Sequence, residues 1–250
     1  MLQVRNISKH FAQQAAVKDV TFSVQPGTVM VLLGPNGSGK TTVSKLVAGL
    51  LTPTTGSVLV HGADMHLNPT TAKRQVGYVP DNPVVWGTMT GYEFLHFSGA
   101  LYGLPERVRE ERIDALVPYF DLAAVQHIRY DQFSRGYQQK FGLLAALLHQ
   151  PAVLILDEPI VGLDPDSLES LILLIEQFTK DGGSVLLTTH TLSVAERVAK
   201  TYGFMYKGEL LALGSYDTLC MTANMPVGTP VRELYQALGQ LGESRSRTDV

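Results

Sequence analysis

The sequence has one cysteine, Cys220, and few charged side chains for its 250 residues. A single cysteine excludes an internal disulfide framework and a cluster of thiolate metal ligands. Charged residues make up 17% of the chain, below the usual share of about 25%, which indicates that a partner covers part of the surface. The formal net charge of −3 leaves no basic excess to drive general binding to phosphate backbones. We therefore expect no nucleic-acid partner.

The sequence also lacks long apolar runs. Leu143–Leu148 is a typical run, whereas a membrane-spanning helix needs about 20 apolar residues. The first residues, Met1–Asn6, lack the apolar stretch of a signal peptide. We therefore predict a soluble intracellular protein, for which any membrane association goes through a partner. Apolar residues still reach 45% of the chain, enough to bury a sizeable core.

Continuous apolar runs predict strands that are buried on both faces. They are Thr28–Leu33, Ala152–Leu156 and Ser184–Leu187. A helical pattern over Thr41–Leu51 follows the first run, and another over Ser167–Phe178 lies between the second and third runs. Strands that alternate with helices are typical of an α/β fold with a parallel sheet.

Other segments predict smaller elements around this core. From Asn82 to Gln132 the pattern is mostly helical, which we interpret as a helical subdomain, at about residues 82–150, inserted into the α/β core. The sequence also predicts two strands, Val17–Val24 and Ser57–Val60, and a hairpin, Gly203–Leu213. Toward the C-terminus it predicts a short helix, Pro230–Leu238, and a frayed polar tail, Glu243–Val250.

A glycine-rich segment, Gly34–Thr41, fits the pattern G-x-x-x-x-G-K-[S/T] between a buried strand and a helix. Its glycines let backbone amides curl around a phosphate, Lys40 can reach the β- and γ-phosphates, and Thr41 offers a hydroxyl to Mg²⁺. The alternative is a chance glycine-rich turn. The candidate nucleotide-binding residues here are Gly34, Pro35, Asn36, Gly37, Ser38, Gly39, Lys40, Thr41 and Thr42.

Two carboxylates, Asp157 and Glu158, follow a buried strand. Two adjacent acids there cost desolvation unless a cation such as Mg²⁺ offsets them. We expect Asp157 to hold the metal and Glu158 to act on the water that attacks the γ-phosphate, with Lys40 assisting. His190 closes another buried strand and could hold the water and the phosphate in place. The alternatives are an ordinary acidic turn and a structural histidine.

The segment Phe133–Gln139 reads Phe-Ser-Arg-Gly-Tyr-Gln-Gln. It resembles the signature motif, usually Leu-Ser-Gly-Gly-Gln, of the nucleotide-binding subunits of ATP-binding-cassette transporters. As in that family, the motif lies between the phosphate loop and the acidic pair, and the segment Gly162–Asp164 follows the acidic pair. The resemblance covers about residues 2–218 and leaves 219–250 as a C-terminal extension. It implies an α/β fold: a P-loop NTPase core with an antiparallel β-subdomain and an inserted helical signature subdomain.

The same resemblance implies roles for individual residues. Phe11 would stack on adenine, unless it is a core aromatic, and Val17 would be a neighbouring apolar contact. Asp164 would connect two sites across a head-to-tail dimer. In that dimer each ATP lies between the phosphate loop of one subunit and the signature segment of the other, for which the candidate residues are Ser134, Arg135, Gly136, Tyr137 and Gln138.

The chain departs from the family pattern at several positions. Asp81 stands where the family has a glutamine, and we consider that it either ligates Mg²⁺ through water or faces away. Arg135 replaces the first glycine of the motif and Tyr137 its final glutamine. The basic residue at position 135 and the variant at Asp81 look like the branch of exporters whose membrane subunits are separate chains. Trp86 and Met89 lie where the family receives a short helix of the membrane subunit; the alternative is a core of the helical subdomain.

The resemblance implies an ATP-hydrolysing motor subunit of a membrane transporter, with ATP and Mg²⁺ as cofactors. Its partners would be integral membrane permease subunits and a second copy of itself or a related cassette, and it would lie peripherally at the cytoplasmic face of the membrane. The alternative is a relative that acts on DNA or ribosomes. An unrelated P-loop kinase or GTPase fits less well, because the sequence has no Asn-Lys-x-Asp motif.

Overall fold

The structure, a computed structural model, describes residues 1–83 and 87–248. An antiparallel sheet forms its N-terminal layer, with strands in the order β2-β1-β4-β5. Inward-facing residues of these strands are apolar and buried, as in the alternation of Val20, Phe22 and Val24. The strands are β1 (Leu2–Phe11), β2 (Gln14–Val24), β4 (Thr55–Val60) and β5 (Ala63–Asp64). The two strands predicted in this region lie within β2 and β4.

A second sheet of six strands forms the centre, in the order β10-β9-β3-β8-β7-β6. All neighbours are parallel except the β9–β10 hairpin, which is antiparallel. The strands are β3 (Thr28–Leu33), β6 (Val76–Val79), β7 (Val153–Asp157), β8 (Ser184–Thr188), β9 (Thr201–Tyr206) and β10 (Glu209–Gly214). The prediction of buried strands and of the hairpin is confirmed.

Side chains of β3 alternate between two cores. Met30 and Leu32 face the antiparallel sheet and the first helix, whereas Val29, Val31 and Leu33 face the core on the other side of the central sheet. The helices are α1 (Lys40–Val47), α2 (Pro69–Lys73), α3 (Gly91–Leu101), α4 (Glu106–Leu116), α5 (Arg135–Leu147), α6 (Pro165–Lys180), α7 (Leu192–Val198), α8 (Tyr216–Thr222) and α9 (Val231–Thr248). Helix α1 ends four residues before the predicted Leu51, because the chain turns at Gly49.

Helices α3, α4 and α5 lie between β6 and β7 in the chain, as expected of an inserted helical segment. Their core is aromatic: the rings of Phe94 and Tyr130 lie 4.8 Å apart, and Phe133 stacks on Phe141 at 5.0 Å. This packing fixes the direction in which α5 starts. The boundaries of the subdomain at about residues 82 and 150 stay a prediction.

The C-terminal segment differs from the prediction. A single helix, α9, replaces the expected short helix and frayed tail and continues to Thr248. Leu234 and Leu238 are buried, and the ring of Tyr235 packs 5.3 Å from that of Phe204 on β9. Contacts with the hairpin stabilise a helix that its own polar composition does not suggest. Within the described residues, every helix is too short or too polar to span a bilayer.

Candidate active site

The phosphate loop (Gly34–Thr41) connects β3 to α1, as predicted. The β9–β10 turn holds it, because the Gly208 amide donates to the Ser38 carbonyl at 2.9 Å and the Lys18 amide donates to the Gly208 carbonyl at 2.8 Å. The first turn of α1 reads Lys-Thr-Thr-Val, so no carboxylate offsets the partial positive charge of the helix start. The loop therefore suits an anion.

Lys40 lies against the loop that precedes it. Its ammonium donates to the Gly34 carbonyl at 2.8 Å and to the Pro35 carbonyl at 3.2 Å. Burial lowers the pKa of Lys40, while Glu158 and Asp157 oppose that shift. The ammonium is thus held among backbone acceptors at the point where a phosphate would enter the loop.

Asp157 ends β7 and is fully buried. Its Oδ1 accepts hydrogen bonds from the hydroxyls of Thr188 at 2.5 Å and Thr41 at 3.3 Å. Its Oδ2 is buried and has no partner among the described residues. Burial raises the pKa of Asp157, although both hydroxyl bonds oppose the shift. The structure thus brings together two of the three predicted metal ligands, Thr41 and Asp157, and Thr188 donates to the same carboxylate.

An unpartnered carboxylate oxygen beside a hydroxyl fits a hard cation. Mg²⁺ takes oxygen ligands and is usually held by one or two carboxylates together with substrate phosphates. The described part of the chain holds no group of three or more His, Cys, Asp or Glu side chains arranged around a metal. Thr41 and Asp157 therefore fit Mg²⁺, and Asp81 is close enough to raise the pKa of Asp157 further.

Glu158 follows Asp157 with a left-handed backbone, at φ 49°. Its Oε2 accepts the His190 amide at 3.3 Å and lies 3.0 Å from His190 Nδ1. Its own amide donates to the Thr188 carbonyl at 3.0 Å. The Glu158 side chain is 13% exposed and that of His190 is 59% exposed, so the imidazole lies toward the solvent. The structure places two of the three predicted catalytic residues, Glu158 and His190, side by side.

A cavity of about 710 Å³ opens beside the loop, and we call it the phosphate-loop cavity. Phe11 lines it with 47% of its surface exposed, and the Lys9 ammonium lies 5.3 Å from the ring centroid. Lys18, Lys207 and Gly208 line it too, and the sequence did not identify them as site residues. The predicted residues in the lining are Phe11, Asn36, Gly37, Gly39, Lys40, Thr41, Thr42, Asp81 and Glu158.

Val17 is fully buried in the core and lies on β2 opposite Lys9 of β1. Ala15 and Ala16 of the same strand line the phosphate-loop cavity, and Val17 is not in the described lining. Its role as an apolar contact of the base stays a prediction.

Four loop residues, Pro35, Asn36, Gly37 and Ser38, line a second cavity. This space of about 710 Å³ lies between the phosphate loop and α9, and Tyr235 and Glu243 line it from the helix side. The Ser38 hydroxyl is buried without a partner among the described residues. No motif in the sequence predicts that α9 lies beside this loop.

The signature segment lies away from this chain's own phosphate-loop cavity, and none of its residues is in the described lining. Ser134 caps α5, with its hydroxyl 3.5 Å from the Tyr137 amide. Gly136 is buried, and a Cβ there would lie 2.3 Å from the Gly162 carbonyl. The side chain of Gln138 donates to the Phe133 carbonyl at 3.1 Å. Ser134 and the start of α5 therefore face outward as a separate surface.

Asp164 is engaged within its own chain. Its Oδ1 accepts the Ser167 amide at 2.8 Å and caps α6, and its Oδ2 lies 3.2 Å from the Lys140 ammonium. These bonds, those of Ser167 above all, hold the pKa of Asp164 well below its usual range. The contact ties α6 to α5, and a role across a dimer stays a prediction.

Asp81 and Arg135 contact each other directly. The guanidinium Nη2 of Arg135 donates to the Asp81 carbonyl at 2.8 Å and to its Oδ1 at 2.9 Å.

Burial, with the nearby carboxylates of Asp157 and Asp81, raises the pKa of Tyr78, which keeps that hydroxyl protonated beside the site. Trp86 lies outside the described residues.

A model of the family described as ABC transporter matches residues 17–161, more than half of the chain. The chain belongs to the ABC transporter family. It is 33% identical over 220 residues to the linearmycin resistance ATP-binding protein LnrL of Bacillus subtilis, 88% of this chain and 71% of LnrL. It is 34% identical over 242 residues to the probable multidrug ABC transporter ATP-binding protein YbhF of Escherichia coli, 96% of this chain but 41% of YbhF.

Solved structures agree with this assignment. One, the ATP-binding subunit of an ABC transporter, is 33% identical, has a TM-score of 0.90 and matches 96% of this chain and 99% of its own. The dimeric cassette MJ0796, at 23% identity, shares the fold with a TM-score of 0.80. The predicted fold class is therefore confirmed. The family assignment also makes this ABC cassette an ATPase subunit of a transporter.

Proposed function

We propose that this ABC cassette is the ATP-driven motor of an exporter whose membrane-spanning subunits are separate chains. The observation that carries the proposal is the assembled site: a phosphate loop, a Thr41–Asp157 hydrogen bond and a Glu158–His190 contact, beside one cavity that Thr41 and Glu158 line. Relatives named for linearmycin resistance, multidrug transport and lantibiotic transport support the direction of transport.

Each residue then has a chemical task. Lys40 and the loop amides bind the phosphates, and Phe11 stacks on the base. Thr41 and Asp157 hold Mg²⁺, which when bound offsets charge on the phosphate oxygens. Glu158 accepts a proton from the attacking water. The oxygen of that water bonds to the γ-phosphorus as the bond between this phosphorus and ADP breaks. His190 holds Glu158 in place for that transfer.

A second cassette supplies the remaining wall of the site. The exposed Ser134 hydroxyl and the start of α5 offer a second group of anion donors, and they do not reach this chain's own cavity. We infer a head-to-tail pair, of two copies or of related cassettes, in which Ser134 and Gly136 of one subunit approach the nucleotide of the other.

The membrane subunit has a suitable groove at the junction of β6, α3 and α5. This docking groove encloses about 340 Å³, and Leu50 and Leu101 lie in its lining with 58% and 69% of their surfaces exposed. The side chains of Gln139 and Tyr78 also line it. We infer that a short helix of the permease docks here, which holds the cassette at the cytoplasmic face of the membrane.

The predicted groove residue Met89 is partly buried and is not among the residues found in the groove lining. For the alternative, a cassette that acts on DNA or ribosomes, we find no favouring observation in the described residues.

Hydrolysis tests the chemistry. Purified protein should release phosphate from ATP in the presence of Mg²⁺. Glu158→Gln should lower that rate by about 10²- to 10⁴-fold, the size of a lost general base, while binding of a fluorescent ATP analogue persists. Lys40→Ala should weaken binding itself. Glu169→Gln, a change to an exposed carboxylate paired with Arg197, serves as the control and should keep the wild-type rate. An undiminished rate in Glu158→Gln would overturn the assignment.

Co-purification tests the transporter role. A tagged chain from membranes of its native host, solubilised in mild detergent, should bring down a multi-span membrane protein in stoichiometric amount. Leu101→Glu should abolish this recovery. Leu173→Glu, at a similarly exposed leucine of α6, should retain it. Recovery of soluble protein, nucleic acid or ribosomes alone would contradict the transporter role and leave the ATPase chemistry standing.

A further inference from the structure

Two departures from the family pattern, Asp81 and Arg135, form one ion pair. Arg135 donates hydrogen bonds to both the backbone carbonyl of Asp81 and its Oδ1. The side-chain amide of Asn82 lies 3.5 Å from Oδ2 of Asp81. Both carboxylate oxygens therefore have a partner. The side chains are 38% and 43% exposed for Asp81 and Arg135, so this is a modest interaction that a strong competitor can break.

The pair joins two functional surfaces of the chain. Asp81 follows β6 by two residues and lines the phosphate-loop cavity with Thr41 and Glu158. Arg135 is the first residue of α5 and directly follows the exposed Ser134. A displacement of either residue would therefore change the position of the other, across the junction of the core and the helical insertion.

Electrostatics set the direction of the coupling. Asp81 lies close enough to Asp157 for their carboxylates to repel. A divalent cation held by Thr41 and Asp157 would attract Asp81 and repel the guanidinium of Arg135. The carboxylate of Asp81 cannot bind the cation and keep its full ion pair with Arg135 at the same time.

Other contacts determine what a release would do. The Lys140–Asp164 ion pair and the close packing of Gly136 on Gly162 attach α5 to the loop after β7. Arg135 attaches the same end of α5 to the segment after β6. Loss of the Arg135 contact would therefore loosen the first turn of α5 without detaching it, because Gly136 still packs on Gly162.

We propose that the Asp81–Arg135 pair is a switch that couples the cation site to the signature end of α5. Without bound cation, Arg135 draws Asp81 away from the site and fixes the first turn of α5. Binding of the cation with nucleotide recruits Asp81 and releases Arg135 beside Ser134. This inference rests on the proposed function, since the cation is the Mg²⁺ of a Mg²⁺–nucleotide complex.

Nucleotide binding tests the coupling, because linked equilibria act reciprocally. The affinity for a fluorescent ADP analogue is measured with Mg²⁺ and with EDTA, and the ratio gives the Mg²⁺ advantage. Arg135→Ala should raise that advantage about threefold, the size of one half-exposed ion pair. In an Asp81→Asn background the same change should have little effect. Arg129→Ala removes a comparably exposed ion pair with Asp131 and should leave the ratio unchanged.

Hydrogen exchange tests the signature end directly. In the wild type, Mg²⁺ with the ADP analogue should speed exchange of the Tyr137 and Gln138 amides, which bond to Ser134. In Arg135→Ala this exchange should already be fast and should not respond. The charge swap D81R/R135D should restore slow exchange without restoring the response to Mg²⁺, because an arginine at position 81 cannot serve the cation.

The outcomes separate the two claims. If the wild type binds no nucleotide, or Lys40→Ala binds as well as the wild type, the proposed function fails and the switch fails with it. If binding is normal but Arg135→Ala leaves the Mg²⁺ advantage unchanged, or changes it equally in both backgrounds, only the switch is overturned.

Discussion

All three glycines of the phosphate loop have positive φ, but Gly34 and Gly37 have different surroundings. A Cβ on Gly34, at φ 150°, would lie 2.2 Å from the carbonyl oxygen of Met205 on β9, which is backbone and cannot rotate away. A Cβ on Gly37, at φ 77°, would meet nothing within 4 Å. The first position needs glycine for space as well as for its backbone, and the second only for its backbone.

This difference predicts unequal losses of stability. Gly34→Ala should lower the free energy of unfolding by about 3 kcal/mol or more, because β9 must move. Gly37→Ala, the matched control, should cost about 1 kcal/mol of backbone strain. Urea denaturation of both variants measures the losses. Equal midpoints would show that the contact with β9 does not matter.

His149 is a partly buried histidine outside the site. Its ring stacks on Tyr102 at 3.6 Å, Nε2 lies 3.0 Å from the Val76 carbonyl, and Nδ1 has no partner among the described residues. Protonation would place an N–H at Nδ1 without an acceptor. Burial, aided by Arg112, lowers the pKa of His149 to about 4, against the bond to Val76.

The sign of the pH dependence follows from this shift. The unfolded chain takes up the proton near pH 6.5, whereas the folded chain resists it down to about pH 4. Stability should therefore fall as pH drops through this window, by at most about 3 kcal/mol. Urea midpoints between pH 7.5 and 4 test this. His149→Phe, which keeps the stacking, should flatten the profile, and a change at the exposed His10 should not.

At the scale of elements, α3 begins with a capping box. The Thr90 hydroxyl accepts the Glu93 amide at 3.1 Å, and Glu93 Oε2 accepts the Thr90 amide at 2.8 Å. Thr90→Ala should cost about 1 kcal/mol of stability. Ser98→Ala in the same helix, where the hydroxyl bonds only to the Phe94 carbonyl, should cost less than half of that. Thermal or urea unfolding compares them, and equal costs would contradict the capping role.

The sequence predicted those parts of the site that are continuous in the chain. The strand–loop–helix around Lys40 and the strand end at Asp157 and Glu158 are local patterns, because each combines a buried run with the residues that follow it. Their mutual approach also follows, since the carboxyl ends of parallel strands share one edge of a sheet.

Contacts between distant segments could not be predicted. The Lys207–Gly208 turn reaches the phosphate loop only because β9 lies next to β3, an order that no local pattern encodes. Helix α9 is stabilised by Phe204 and its neighbours rather than by its own composition. The pair of Asp81 and Arg135 joins residues that were each noted as departures, 54 positions apart, and only the packing of α5 on the core brings them together.

For the whole molecule, the outward-facing signature segment predicts an association that depends on ATP. Glu158→Gln with ATP and Mg²⁺ should form a species of twice the 27.3 kDa mass of the chain, because the nucleotide persists as the contact between subunits. ADP should not support it. Light scattering measures the mass, and Ser134→Phe in the Glu158→Gln background should restore the monomer. A monomer in Glu158→Gln at every protein concentration would count against a shared site.

The position of β3 in the middle of the central sheet has a consequence for biosynthesis. Both of its neighbours, β8 and β9, come from residues 184–206, so β3 leaves the ribosome long before either partner exists. At about 5–20 residues per second, the delay is roughly 10–35 s. During this interval an apolar strand is unpaired and the phosphate loop has no fixed shape. The nascent chain therefore becomes able to bind nucleotide only after most of it has been translated, and β3 is the segment that a chaperone would shield.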